Sequence, residues 1–181
     1  MLTDLNYRAL AETWATSPLE EASVFSNRIE SIGLFVLLDL LGAARPSIPS
    51  YFEKTHWAYS HLAAAEERLR GLGLLETKAE NGLFLPDREK KSYQFTLGYI
   101  LDDHVPFLER GVDILHLIPT PFPPVWHTMD DDGAHLDIPT VKDWAKIMSV
   151  FVAEWMELDG LVQPLESKHK PENKSREKSE L

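Results

Sequence analysis

"VDILHLIPTPFPPVWH", residues 112–127, decides how the rest of this chain reads. Its first half is an almost unbroken apolar run, the pattern of a strand covered on both faces inside an α/β sheet. Its second half sets four prolines in the six positions 119–124. Each ring fixes a φ angle, and an X–Pro bond in such a run is a candidate for the cis form. A strand that ends in a stiffened turn delivers Trp126 and His127 to one place with little orientational freedom.

Working outward, "SIGLFVLLDLLGA" (31–43) is a second apolar run of the same kind and predicts a second buried strand. Between the two, Leu62, Ala65, Leu69 and Leu72 repeat at three and four residues, which predicts a helix over 57–72 closed by Gly71 and Gly73. Residues 76–98 show no period and read as a long loop. "DDHVPFLERG" (102–111) predicts a short helix capped by Asp102 or Asp103 and stopped by Gly111. Toward the N-terminus, Leu5, Ala9, Leu10 and Trp14 give one side of a helix over 5–15, ended by Pro18. From Thr140 on, Val141, Trp144, Met148, Phe151, Trp155 and Leu158 predict a strong amphipathic helix, with Thr140 and Asp143 spaced like a capping box. Two buried strands are few, because strands of this type want neighbours on both sides.

The chain has 181 residues, 44% hydrophobic, enough for a core. Its formal net charge is −11. The segment from Gln163 holds five basic and four acidic side chains, so the remainder stands at −12. Such a balance argues against a nucleic-acid partner. No apolar run has the length of a transmembrane segment, and the start "MLTDLNYRALAETW" lacks the pattern of a signal peptide. Without cysteine there is neither a disulfide nor a thiolate metal site, and the compartment stays open. Residues 163–181 form a charged tail expected to be disordered.

Several residues break the pattern of their surroundings. Asp39 ends an apolar strand: either it has emerged and caps a backbone amide, or it belongs to a site at the carboxyl ends of the strands, where open α/β sheets collect ligands. His116 interrupts the second strand, either as a neutral core histidine held by one hydrogen bond or as a site residue. Asp102 and Asp103 are helix caps on the simpler view. His127 is either part of a surface turn or a metal ligand or base with an aromatic wall beside it. The carboxylates of "HTMDDD" sit too close in sequence to score as ligands, and no His-Glu-x-x-His motif is present.

The segment 102–137, "DDHVPFLERGVDILHLIPTPFPPVWHTMDDDGAHLD", followed by the last helix, resembles the C-terminal half of the glutaminyl-peptide cyclotransferases, relatives of the M28 zinc aminopeptidases. "FVLLDLLGA" (35–43) and "LRGLGLL" (69–75) look like the family's preceding segment. The resemblance implies an α/β fold, a mixed zinc-aminopeptidase-like sheet with helices on both faces. Residues 1–162 would be its C-terminal half, with the N-terminal strands missing. It implies an acyltransferase that converts the N-terminal glutamine of peptides to pyroglutamate and releases ammonia, with zinc as cofactor. His127 would be the histidine ligand of that zinc. Asp39, Asp102 and His116 would form the catalytic hydrogen-bond network, and Ile100, Ile118, Phe122 and Trp126 would wall the pocket for the substrate ring. The family's zinc aspartate and its glutamate pair match nothing in the region covered. Glu20 and Glu21 of "LEEAS" (19–23) fall beyond the helix that follows that pair and take no role. The chain alone is therefore expected to be inactive. The alternatives are a non-catalytic truncated paralogue or interaction module and, more remotely, an M28 metallo-aminopeptidase, which would need a second metal. Family members commonly enter the secretory pathway.

Overall fold

The computed structural model describes residues 2–21, 23–78, 82–95 and 98–158; the expected tail at 163–181 lies outside them. The elements run α1 (Leu2–Thr16), β1 (Phe35–Leu38), α2 (His56–Gly71), α3 (Val105–Leu108), β2 (Ile114–Leu117) and α4 (Ile138–Trp155), with single 3-10 turns at Ser92–Gln94 and Gly133–His135. The two strands pair in parallel, Phe35 opposite Ile114 and Leu38 opposite Leu117. Parallel neighbours need a crossover, and α2 forms it.

Alternation along the strands sends residues to two cores. Leu115 and Leu117 face Leu62, Ala58 and Tyr59 of α2 and Trp144, Ile147 and Phe151 of α4. Ile114 faces the other way, with Phe35, toward Ala11 of α1 and Phe107 of α3. Helices thus cover both faces of β2, as expected of an α/β layer. The two strands found here are parallel, as part of the expected α/β sheet, and β1 departs from the sequence reading in its burial. It runs only four residues, is half-buried, and leaves Leu38 49% exposed. β2 alone is buried throughout. Both strands are edges of this two-stranded pair, and the difference lies in cover: residues of β2 enter both cores, while Val36 and Phe35 of β1 only pack against them. The Phe35 and Asp39 N–H groups bond the carbonyls of Asp113 and Leu117. The far edge of β2 is closed by side chains: Thr55 donates to the Ile114 carbonyl at 2.5 Å and Tyr51 to that of Ile118 at 3.1 Å.

Helix faces shift by a residue or two from the expected ones. In α1 the packed positions are Tyr7, Ala11, Trp14 and Ala15, while Leu5 and Leu10 are exposed. In α2, Leu62, Ala65 and Leu69 are buried as expected, and Leu72 is exposed. α4 buries Trp144, Ile147 and Phe151 and exposes Val141 and Trp155.

The expected capping box of α4 is not formed. The helix starts earlier, with Asp137 as N-cap accepting from the Thr140 N–H at 3.0 Å and Pro139 in the first turn. Asp143 is instead fully buried and accepts from Glu76 N–H, Thr77 N–H and the Thr77 hydroxyl, each at 2.7–2.8 Å. Burial pushes the Asp143 carboxyl up, but these bonds together outweigh it and hold the group below the usual carboxylate range. Asp143→Ala is expected to cost about 2–4 kcal/mol, since two backbone donors lose their partner. Asp143→Asn should recover part of that in denaturant titration, and an unchanged midpoint in both variants would refute the anchor.

Among its described residues the stretch 76–98 holds a 3-10 turn at Ser92–Gln94 and otherwise irregular chain, but it is not a surface excursion. Phe84 and Leu85 are 2% and 1% exposed and sit in the core beside α2 and α4.

Candidate functional site

Both strands run the same way, so their carboxyl ends meet at one edge of the layer. Asp39 emerges there from β1 and the segment 118–127 from β2. Asp39 is half-buried, and its carboxyl is held above the usual range, first by burial, then by the negative charges of Asp102 and Asp131, against a bond from the Leu40 N–H. Asp102 precedes α3, whose N-cap is His104, with no capping bond from that side chain. Its Oδ1 accepts from the Asp103 N–H at 2.7 Å, and its Oδ2 lies 3.1 Å from Nε2 of His116. Nδ1 of His116 is buried without a hydrogen-bond partner, so Asp102 is the polar group its ring meets.

Behind His116 lies His104, which the sequence reading passed over. It is fully buried, its ring centroid 4.7 Å from that of His116, and neither of its nitrogens has a partner. Burial, then the neighbouring His116, pushes His104 down to about 4, with Asp102 opposing; burial lowers His116 as well, again against Asp102. A histidine inside "DDHVPF" was the available signal.

The pocket residues assemble in part. Ile100 and Phe122 line a cavity of about 410 Å³ with Tyr51, Phe95, Thr120 and Lys90. Trp126 stands edge-on to Phe122 at 4.6 Å and on its other side borders a smaller cavity of about 90 Å³. Ile118 is buried behind them and presents its carbonyl to Tyr51. Tyr51 and Thr120 were not singled out from sequence. Their hydroxyls are 2.7 Å apart, and the Tyr51 ring lies 6.0 Å from that of His116, which ties the cavity to the buried histidines.

The proline run does stiffen the turn, and the cis bond falls at Thr120–Pro121. His127 ends it with φ +60, in the left-handed region that non-glycine residues adopt at a cost. Its ring stacks on Trp126 at 3.8 Å and is exposed, and Trp126 is itself 37% exposed. Among the described residues no group of three or more histidines and carboxylates is placed to hold a metal ion. A catalytic zinc wants about three protein ligands. One imidazole does not make that site, so zinc does not fit the described residues taken alone.

This helix-flanked parallel α/β layer carries its polar cluster at the carboxyl ends of its strands, where open α/β sheets collect ligands, and the comparisons say which class of such proteins this is. The model of Peptidase family M28 matches residues 12–152, and the chain belongs to that family. Within it, the chain is 44% identical over 152 residues to a glutaminyl-peptide cyclotransferase of Boiga irregularis, which covers 83% of this chain and 39% of that protein. Against the glutaminyl-peptide cyclotransferase of Bos taurus it is 42% identical over 151 residues, 83% of this chain and 40% of the other. The crystal structure of Macrostomum lignano glutaminyl cyclase superposes with a TM-score of 0.73 at 29% identity, covering 88% of this chain and 48% of that one. The chain thus spans about two fifths of the length of these curated relatives.

Proposed function

We propose that this chain is the pocket-bearing portion of a glutaminyl-peptide cyclotransferase, acting on peptides with N-terminal glutamine. The observation that supports it most is the cavity at the strand ends, where Ile100 and Phe122 meet the Tyr51–Thr120 hydroxyl pair within reach of the His116–Asp102 contact. Apolar walls with few polar groups suit a small neutral ring. Cyclisation joins the substrate's own α-amine to its side-chain amide carbon, so a proton must pass from the attacking nitrogen to the departing one. The pocket holds the two groups in attack geometry, which supplies much of the rate. Asp39, with its carboxyl raised, and Asp102 are the groups here suited to accept from the amine and hold that proton. Zinc, where bound, would polarise the amide carbonyl, with His127 contributing one ligand and carboxylates outside the described residues the others.

Two measurements test this reading. A pyroglutamyl peptide titrated into the 181-residue chain should perturb the resonances of Ile100 and Thr120, and Phe122→Ala should weaken binding about tenfold, or about 1.4 kcal/mol, as expected for removing a half-buried wall of the pocket. Absence of binding would reject the pocket assignment. With zinc and an N-terminal glutaminyl peptide, the chain alone should release no ammonia. Turnover would overturn the claim that ligands must come from elsewhere.

A further inference from the structure

We propose that Ser50 and His56 form a second nucleophilic centre in this chain, opening on the 410 Å³ cavity and acting on small apolar esters. The proposal does not depend on the cyclisation reading. Ser50 is 3% exposed, lines the cavity, and has its hydroxyl oxygen 2.9 Å from Nδ1 of His56. The other ring nitrogen, Nε2, lies 3.3 Å from the Ser60 hydroxyl, which donates to the Arg88 carbonyl at 3.1 Å.

This chain of contacts fixes the tautomer. A carbonyl only accepts, so the single Ser60 proton goes to Arg88 and its oxygen must accept from Nε2–H. Nδ1 is then the bare nitrogen, and the Ser50 hydroxyl donates into it. Nucleophile, base and a third group that orients the base are all present, the arrangement that activates a serine. Ser60 is the positioning residue, since it acts only through His56.

The surroundings hold the pair still. The Ser50 N–H donates to Asp87 at 3.1 Å, and Lys90 Nζ donates to the Ser50 carbonyl at 2.8 Å and to Asp87 at 2.9 Å. The His56 ring lies between Tyr59, stacked at 5.8 Å, and Phe95, edge-on at 5.3 Å. Lys90 also lines the cavity, its ammonium 4.8 Å over the Phe95 ring, and places a positive charge beside Ser50 that would favour a developing oxyanion. Phe95, Ile100 and Phe122 would take the acyl chain.

In the reaction, Ser50 Oγ attacks the ester carbonyl carbon and its proton moves to His56 Nδ1. The tetrahedral intermediate collapses, and the same proton passes to the departing alkoxide oxygen, leaving an acyl-serine and an alcohol. Water then attacks the acyl carbon, giving its proton to Nδ1, which returns it to Ser50 as the acid leaves. The steps need no oxidant and no other reactant.

The test is hydrolysis of p-nitrophenyl butyrate by the full 181-residue chain, with covalent labelling by a fluorophosphonate read by peptide mass spectrometry. The expected results are a label on Ser50 and about a 100-fold loss of rate in Ser50→Ala and in His56→Asn, the usual scale for a general base. Ser60→Ala should displace the pH–rate profile while the melting temperature stays put; an unmoved profile would remove Ser60 from its positioning role. Labelling requires no variant, so misfolding of a mutant cannot mask the answer. A label on another residue, no label, no hydrolysis above buffer, or undiminished rate in folded Ser50→Ala would each overturn the proposal.

Discussion

Glu66→Ala is expected to lower the stability of this fold by about 3–5 kcal/mol, the scale found when one member of a buried charge network is removed. Glu66 is 1% exposed in the middle of α2. Its carboxylate accepts from the backbone N–H groups of Phe84 at 2.8 Å and Leu85 at 3.0 Å, and it pairs with Arg70 at 2.7 Å. Arg70 in turn donates to the Thr77 carbonyl at 2.9 Å and lies 4.8 Å over the Phe84 ring. Truncation leaves two buried donors unsatisfied and a buried guanidinium without its counter-charge. Small domains have only about 5–15 kcal/mol in total, so the variant should sit near its unfolding threshold at physiological temperature. Glu66→Gln keeps an acceptor of nearly the same shape and should lose less. By contrast, breaking the exposed Lys142–Glu76 pair should cost under about 1 kcal/mol. Denaturant midpoints for the three variants give the ordering directly. A Glu66→Ala midpoint no lower than that of the surface variant would show that the loop 82–85 is held by packing alone.

Acidification from pH 7 to 4.5 is the second large effect expected. His104 protonates near 6.5 in an unfolded chain but only at about 4 in the fold, where burial and the neighbouring His116 resist the charge. Between those values the unfolded state binds more protons, so stability is complete above about pH 6.5 and falls as pH drops toward 4. A change from 6.5 to about 4 amounts to about 3 kcal/mol for His104. His116, also lowered, adds in the same direction. Asp39 works the other way, since a raised carboxyl favours the fold at low pH, but it is only partly withdrawn from solvent and offsets less. Asp143 is lowered, so its contribution is lost only as pH falls below the ordinary carboxylate range, outside this window. His104→Leu should flatten the dependence of the denaturant midpoint between pH 7 and 4.5. An equally steep slope in that variant would move the effect away from the histidine pair.

The sequence alone determined the layer and its order. Apolar runs at 31–43 and 112–119 and the three-and-four spacing at 57–72 and 140–155 depend on near neighbours in the chain, and local periodicity is what a buried face imposes. The proline run before His127 and the stopping glycine at 111, with φ +86, were legible for the same reason. The resemblance named Ile100, Ile118, Phe122 and Trp126 together; Ile100 and Phe122 line one cavity, while Trp126 stands edge-on to Phe122 and borders another. What only the tertiary structure decided were the partners of buried polar groups. Asp143 fits a capping box by spacing, yet it anchors Glu76 and Thr77 some 66 positions away. Glu66 looks like a solvated helical charge until Phe84 and Leu85 fold back onto it, and His104 like a cap residue until His116 closes over it. A buried charge or donor must find a partner wherever the fold provides one, and that partner's place in the chain leaves no periodic trace.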